Sequence, residues 1–551
     1  MKHKTNFFTK FFGMKVIIGL FTLSVILFSC KPENGGGSDY GPIEPPVNFT
    51  PDIPVDVDPA VQAALKAEGD IYALNQEFNL YSWQAFVAIQ WPRDADGTPM
   101  PNFTDEGEAT WLGWKEAFQV YRADGQKPAP WGSPRTPSGL GLDDAHLNDT
   151  DARIVLSSFT PTGKDPNIVD EVDQAFAGKL FDQNGNLVVY EVLMNEAEFN
   201  YVVDSTLYNI NGQLEFAKHN TVTNFPKGNY EDNTVGAVEI KFAWKILEDA
   251  DHKERYYRDE GYVINDDGTY TKKDIGMIGF HISQKTPTGK QWVWSTFEHI
   301  DNLDQNVIVK DGSETIIHPT LRDPDCEICP ANLDLTTAHS YTYEPGPHGP
   351  YWLVTNIVTD PKTKKKDTVR SKYYTNSDTP KTQAKRMVNI PVRVQQINEM
   401  MQEYFEQQNS VWQYYMLVDT QYPLNQNVAA APHQRSDYQV PESVVNKPGG
   451  DPNIALLTNI TMETFFQLGN QDATNLMEGN LIVDGVQPTT MTIYGTESCM
   501  GCHSSAGFAT QYFQANDSLV QGGQLSGDFS WLLSQKAHWN DSIPKPTQPS
   551  N

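Results

Sequence analysis

From Val238 onward, apolar Val238, Ile240, Phe242 and Trp244 alternate with charged Glu239, Lys241 and Lys245. A period of two sends the two sets to opposite faces of a strand, so the segment belongs in a sheet with one face buried. Residues 187–193, 276–282 and 291–297 are similar short runs of β-branched and aromatic residues, set between Asn, Asp, Gly and Pro. Together they predict a large sheet-containing body over residues 60–445. Helices flank it. Asp58-Pro59 offers an N-cap and a first-turn proline to a helix running through Leu65, and a second helical stretch covers 78–89 until Pro92 stops it. Asn389 and Pro391 open an amphipathic helix with Val394, Ile397, Met401, Tyr404 and Phe405 on its apolar face, and 411–418 reads as a strand. The expected fold class is α+β, without a solenoid or propeller repeat.

The first residues are read apart from this body. Lys2, Lys4, Lys10 and Lys15 precede an apolar run over 16–28. A helix of that length covers about 20 Å, short of a bilayer core of about 30 Å, so the run reads as the h-region of an export signal over 1–29. Leu27-Phe28-Ser29-Cys30 resembles a bacterial lipobox, which implies lipidation of Cys30 as the mature N-terminus; Phe28 is bulkier than the small residue usual there. Residues 30–59 are rich in Gly and Pro and read as a flexible tether.

Charge narrows the partners. Cleavage before Cys30 leaves 522 of the 551 residues and moves the net charge from −29 to −33, because four lysines and no acids are lost. So acidic a chain lacks the Lys and Arg surplus that nucleic-acid phosphates require. The expected partners are a membrane, through the anchor, and a protein with a basic docking face. Residues 361–386 invert the balance locally, with nine Lys/Arg against two acids, and read as a solvated lysine-rich loop.

Four cysteines remain, in two Cys-x-x-Cys pairs. Cys499-Met500-Gly501-Cys502-His503 has the spacing of a c-type haem attachment site: two thiols three residues apart on a turn reach the two vinyl groups on one porphyrin edge, and the next residue lies beneath the iron. In a cytosolic chain the string could equally be half a zinc site or a redox dithiol. Export favours haem, and no second Cys/His pair lies nearby to complete four zinc ligands. The segment resembles c-type cytochromes over the C-terminal fifth of the chain. The resemblance implies one covalent haem c on Cys499 and Cys502, His503 as proximal iron ligand, and a small, mostly helical cytochrome c-like domain over 446–551. A departure from that pattern is that no methionine follows His503. Met462 and His538 are the distal candidates, with Met477 and Met491 behind them; His538 ends an apparent closing helix over 529–538. Met500 lies within the attachment loop, on the proximal side.

Cys326 and Cys329 are followed by Pro330 in place of histidine, and in an oxidising compartment they are expected to form a disulfide. A second polar constellation surrounds residues 294–302: Glu298 and His299, with His281 on the preceding strand and Glu239 on an earlier one, are candidates for proton transfer. The competing reading is that the histidines are satisfied core residues. Trp83, Trp91, Trp111, Trp114, Trp244, Trp292 and Trp294 are core anchors, sugar platforms or electron relays. Three functions follow: an electron-carrying cytochrome in the cell envelope coupled to an unidentified redox activity of the body; a haem enzyme of peroxidase or oxygenase type with an open distal site; or a surface binding module with an accessory haem.

Overall fold

The architecture is an eight-stranded, almost wholly antiparallel sheet with helices on one face and C-terminal segments on the other, an α+β arrangement. A computed structural model describes residues 48–133, 155–157, 179–220, 222–264, 270–310, 312–333, 340–359, 365–427, 451–454, 456–465, 467, 473–477, 480–483, 498–504, 506–515 and 518–544. The export signal, Cys30, most of the tether and Met491 lie outside the described residues. Ile43–Asn551 form one compact unit.

The sheet strands are β1 (Lys115–Glu116), β2 (Val155–Ser157), β3 (Val189–Met194), β4 (Val238–Ile246), β5 (Arg258–Ile264), β6 (Tyr270–Gln284), β7 (Val293–His299) and β8 (Tyr415–Gln421). Their order is β8-β7-β6-β4-β3-β1, with β5 pairing with β6 and β2 lying parallel to β5. The alternation in β4 works as the sequence requires. Val238, Ile240 and Phe242 share a core with Phe280, Ile282, Phe297 and Leu417, and two helices close over it. These are α2 (Ile71–Ile89), through Trp83, Phe86 and Ile89, and α3 (Val392–Gln407), through Val394, Ile397, Met401 and Phe405. α1 (Pro59–Glu68) starts as expected, with the Asp58 carboxylate accepting from the Ala60 and Val61 amides. At 411–418 the structure differs from the expected strand: a single 3-10 turn, capped by the Ser410 side chain, precedes β8.

The other face carries two polar rows. In register across the strands lie Met194, Glu239, Ser283, Trp294 and Gln421, and beside them Val192, Lys241, His281 and Thr296. A strap over 456–465 covers the second row. Asn459 donates from Nδ2 to Thr296 Oγ1 and to the Phe297 carbonyl, both at 2.8 Å, and Tyr190 donates to the Thr461 carbonyl at 2.7 Å. A Cβ on Gly279 would stand 2.0 Å from Thr461 Oγ1, so only glycine lets the strap lie this close.

The described parts of 446–551 hold more strand than helix. They comprise hairpins Ala473–Met477/Asn480–Val483 and Gly507–Ala515/Ser518–Ser526, with short helices Cys499–His503 and Leu532–Gln535. Only 532–535 of the expected closing helix forms. The run Phe508-Ala509-Thr510-Gln511-Tyr512-Phe513 explains part of this, because aromatic and β-branched side chains suit a pleated, half-buried surface better than a helix.

Candidate functional site

The helical turn Cys499–His503 docks on the first polar row. Ser498 caps it by accepting from the Gly501 amide, and the Met500 amide donates to Gln421 Oε1 at 2.9 Å. Cys499 and Met500 are buried in a core with Trp292, Trp294, Phe508 and Leu533, while Cys502 is only partly covered. Cys499 and Cys502 are not bridged, whereas Cys326 and Cys329 are joined in a disulfide. Burial pushes the Cys499 thiol well up from its ordinary range.

His503 is held on two sides. Its ring centroid lies 4.2 Å from that of Trp294, and its Nδ1 donates to the Phe529 carbonyl at 2.7 Å. That donation fixes the tautomer, so Nε2 keeps its lone pair, as a proximal metal ligand requires. The surrounding protein pushes the imidazole down to about 4, chiefly by desolvation, and so keeps it neutral near pH 7. The carbonyl is aimed by unusual backbone: Asp528 and Phe529 have φ of 50° and 73°, a region that bulky side chains rarely adopt. Such strain persists only where the surroundings over-determine it. Here Asp528 is tied to Lys285 Nζ at 2.7 Å and to the Phe225 amide at 2.8 Å, and Ser530 donates to Glu239 Oε2 at 3.0 Å.

Among the sequence candidates, Glu239 and His281 are brought toward this turn. His281 is nine-tenths buried; its Nε2 meets Glu463 Oε1 at 3.2 Å and its Nδ1 has no partner among the described residues. Burial would raise the Glu463 carboxyl, but His281 and the Asn459 amide hold it below its ordinary value. The charges of Lys241, His281 and Glu463 all bear on His503. Trp294 Nε1, beneath the motif, is likewise buried and unpartnered among the described residues.

Glu298 and His299 are engaged elsewhere. The Arg386 guanidinium forks onto the buried Glu298 carboxylate, which also accepts from the Ile460 amide at 2.7 Å. At Arg386, therefore, the basic stretch is not solvated: its last residue enters the interior to neutralise an acid. His299 Nδ1 accepts from the Asp301 amide at 3.1 Å, so Nε2 carries the proton and donates to the Arg255 carbonyl at 2.9 Å. It is a satisfied core histidine. Met462 is fully buried with Tyr190, Ile278 and Leu321, a cluster separate from that of Cys499. His538 lies beside Asn209, its carbonyl accepting from the Ile210 amide at 2.9 Å.

Glu463, Lys241, Asp528 and Phe529 do not stand out in the sequence. Glu463 carries one legible sign, its place four residues after Asn459, where it accepts from the Asn459 amide at 2.6 Å. Among the described residues no three His, Cys, Asp or Glu side chains converge to hold a bare metal ion. Two thiols and a neutral imidazole with a committed Nδ1 are the donor set that a covalently attached planar group requires, and Trp294 Nε1 and His281 Nδ1 are buried and unpartnered among the described residues. No protein-family model, curated protein or solved structure matches this chain.

Proposed function

We propose that the protein is an exported mono-haem c-type cytochrome that carries electrons in the cell envelope. The carrying observation is the hydrogen bond from His503 Nδ1 to the Phe529 carbonyl, which leaves Nε2 for iron beside two unbridged cysteines. Cys499 and Cys502 hold the haem, and His503 is its proximal ligand. Haem, once bound, supplies a one-electron couple. The protein's part is to keep His503 neutral and oriented and to exclude water with Trp292, Trp294 and Met500. The 446–551 segment serves as the cytochrome part, its turn Cys499–His503 laid on the sheet of the body. Cys30 anchors the chain by lipid, and the acidic body steers it to a redox partner with a basic docking face.

The test is an optical spectrum of the exported chain, oxidised and reduced, with a pyridine haemochrome assay. One haem c per chain, abolished in Cys499→Ala and Cys502→Ala, is expected; a haem-free wild-type chain overturns the reading. Cys30→Ser is expected to move the protein from the membrane fraction to the soluble one.

A second reading, a peroxidase-type haem enzyme, draws on the His281–Glu463 pair, whose charges reach His503. Glu298 and His299 lend it nothing, since both are committed to structural bonds. A high-spin spectrum that shifts with cyanide selects this reading over simple carriage. The binding-module alternative loses its motive, because the seven tryptophans that suggested it are all buried.

A further inference from the structure

His281 stands in the second polar row, between Lys241 and Thr296, on the face of the sheet that receives the Cys499–His503 turn. Cross-strand pairing fixes how far it is from that turn. Ser283, two residues along β6, pairs with Trp294, whose ring lies against that of His503 at 4.2 Å between centroids. Two residues of strand advance about 7 Å, so the His281 row runs one step from the row on which His503 rests. The cluster holding Met462 is a further step away, since Tyr190, which packs in it, lies in register with Ala243 and Gly279.

The two imidazoles are prepared alike. His503 commits Nδ1 to the Phe529 carbonyl and keeps Nε2. His281 commits Nε2 to Glu463 Oε1 at 3.2 Å and keeps Nδ1, which is buried and unpartnered among the described residues. Glu463 is itself held, its Oε2 accepting from the Asn459 amide at 2.6 Å, and Asn459 Nδ2 donates in turn to Thr296 Oγ1 at 2.8 Å. A buried ring nitrogen without a partner costs free energy, and each such case in a folded protein asks for a function. A histidine whose second nitrogen donates to a carboxylate, itself fixed by hydrogen bonds, has the form of a metal-ligating imidazole. His299 shows the contrast: as a core histidine it has both ring nitrogens bonded.

We propose that His281 is the second axial ligand of the haem iron, binding through Nδ1, with Glu463 as its positioning residue. The proposal rests on the cytochrome reading and deepens it: the ligand comes from the sheet of the body, not from the 446–551 segment, so one haem ties the two parts together. Coordination makes one bond between Nδ1 and iron and changes no oxidation state, and the Nε2 proton stays in the hydrogen bond to Glu463. Iron that holds two imidazoles has no position left for peroxide or cyanide, which suits electron carriage rather than peroxide chemistry.

The test is electron paramagnetic resonance and optical spectroscopy of the haem-loaded, full-length ferric chain. Wild type is expected to be low-spin. His281→Ala is expected to lose the low-spin signal and to regain it when imidazole is added, while Met462→Leu and His538→Ala keep it. His281→Met is expected to stay low-spin with a raised midpoint potential, because methionine–histidine ligation raises the potential. Should no change at His281 be tolerated, electron–nuclear double resonance of His538→Ala carrying isotope-labelled histidine is expected to show two histidine nitrogens on iron. A high-spin wild type, a low-spin His281→Ala, loss of the signal in Met462→Leu or His538→Ala, an unmoved potential in His281→Met, or a single histidine nitrogen on iron overturns the proposal without touching haem attachment at Cys499, Cys502 and His503. A chain that carries no haem overturns both.

Discussion

His503 and Phe529 are joined by a 2.7 Å hydrogen bond from the imidazole Nδ1 to a carbonyl that the backbone presents only because Phe529 sits at φ 73°. The relationship couples a local strain to the orientation of the candidate ligand.

That strain has a measurable sign. Glycine adopts the left-handed region without penalty, whereas any residue with a Cβ loses about 1 kcal/mol or more there. Phe529→Gly and Phe529→Ala delete the same ring contacts from the partly buried site. Phe529→Gly is therefore expected to be the more stable of the two by about 1 kcal/mol, the reverse of the usual order in helices. Urea unfolding of both variants checks this; equal stabilities would mean that Phe529 carries no backbone strain.

Arg386 and Glu298 form a buried pair, with side-chain exposures of 15% and 0%. Removing one partner of such a pair costs about 3–5 kcal/mol, because the other charge is left desolvated. Arg386→Met is expected to lose about that much. Arg386→Met with Glu298→Gln should recover part of it, since a neutral amide oxygen still accepts from the Ile460 amide. Chemical denaturation of the single and double variants decides the point.

The sheet, α1, α2 and α3 were legible because their signals are local: a period of two in β4, an Asp-Pro start for α1, an apolar stripe on α3. The Cys-x-x-Cys-His string was legible for the same reason, its spacing lying within five residues. What surrounds it was not. Trp294 and Gln421 meet the motif, and Glu239 meets Ser530 beside it, only because three strands set them in one cross-sheet row, and a register relation among distant segments leaves no mark in a single sequence. Glu298 and His299 misled for a related reason. Dense polar groups at a strand end look like a site, but here Arg386, 88 residues away, and the Arg255 carbonyl satisfy them. The hairpin Gly507–Ala515/Ser518–Ser526 was missed because the likeness to small cytochromes suggested helices, against the strand propensity of its own residues.

Asp419 is buried beside Asn75 and Asn79 of α2, next to a register shift in β8, and desolvation raises its carboxyl to about 7. A folded-state value above the unfolded 3.8 contributes stability that is fully present below pH 3.8 and lost as pH rises through about 7. Asp419→Asn removes the cost of ionising this group. The variant is expected to be more stable than wild type at pH 8, by on the order of 2 to 4 kcal/mol, and to gain nothing near pH 4. Denaturation midpoints at the two pH values measure the difference.

His299 works in the opposite sense over nearly the same window. Burial lowers its imidazole from 6.5 to about 4, so its contribution is present above pH 6.5 and is lost as pH falls through about 4. The size is on the order of 3 kcal/mol at 1.36 kcal/mol per unit. Between about pH 4 and 6.5 the Asp419 contribution falls with rising pH while that of His299 rises, so in wild type the two slopes offset. His503, lowered to about 4, and Asp182, raised to about 6, act in the same interval, so each slope is read as a difference from wild type. Relative to wild type, Asp419→Asn should tilt stability toward rising with pH over that interval, and His299→Gln, which keeps an amide donor for the Arg255 carbonyl, should tilt it toward falling. Stability measured at half-unit steps from pH 4 to 7 tests the pair, and a His299→Gln profile parallel to that of wild type would show that His299 is not held neutral by the fold.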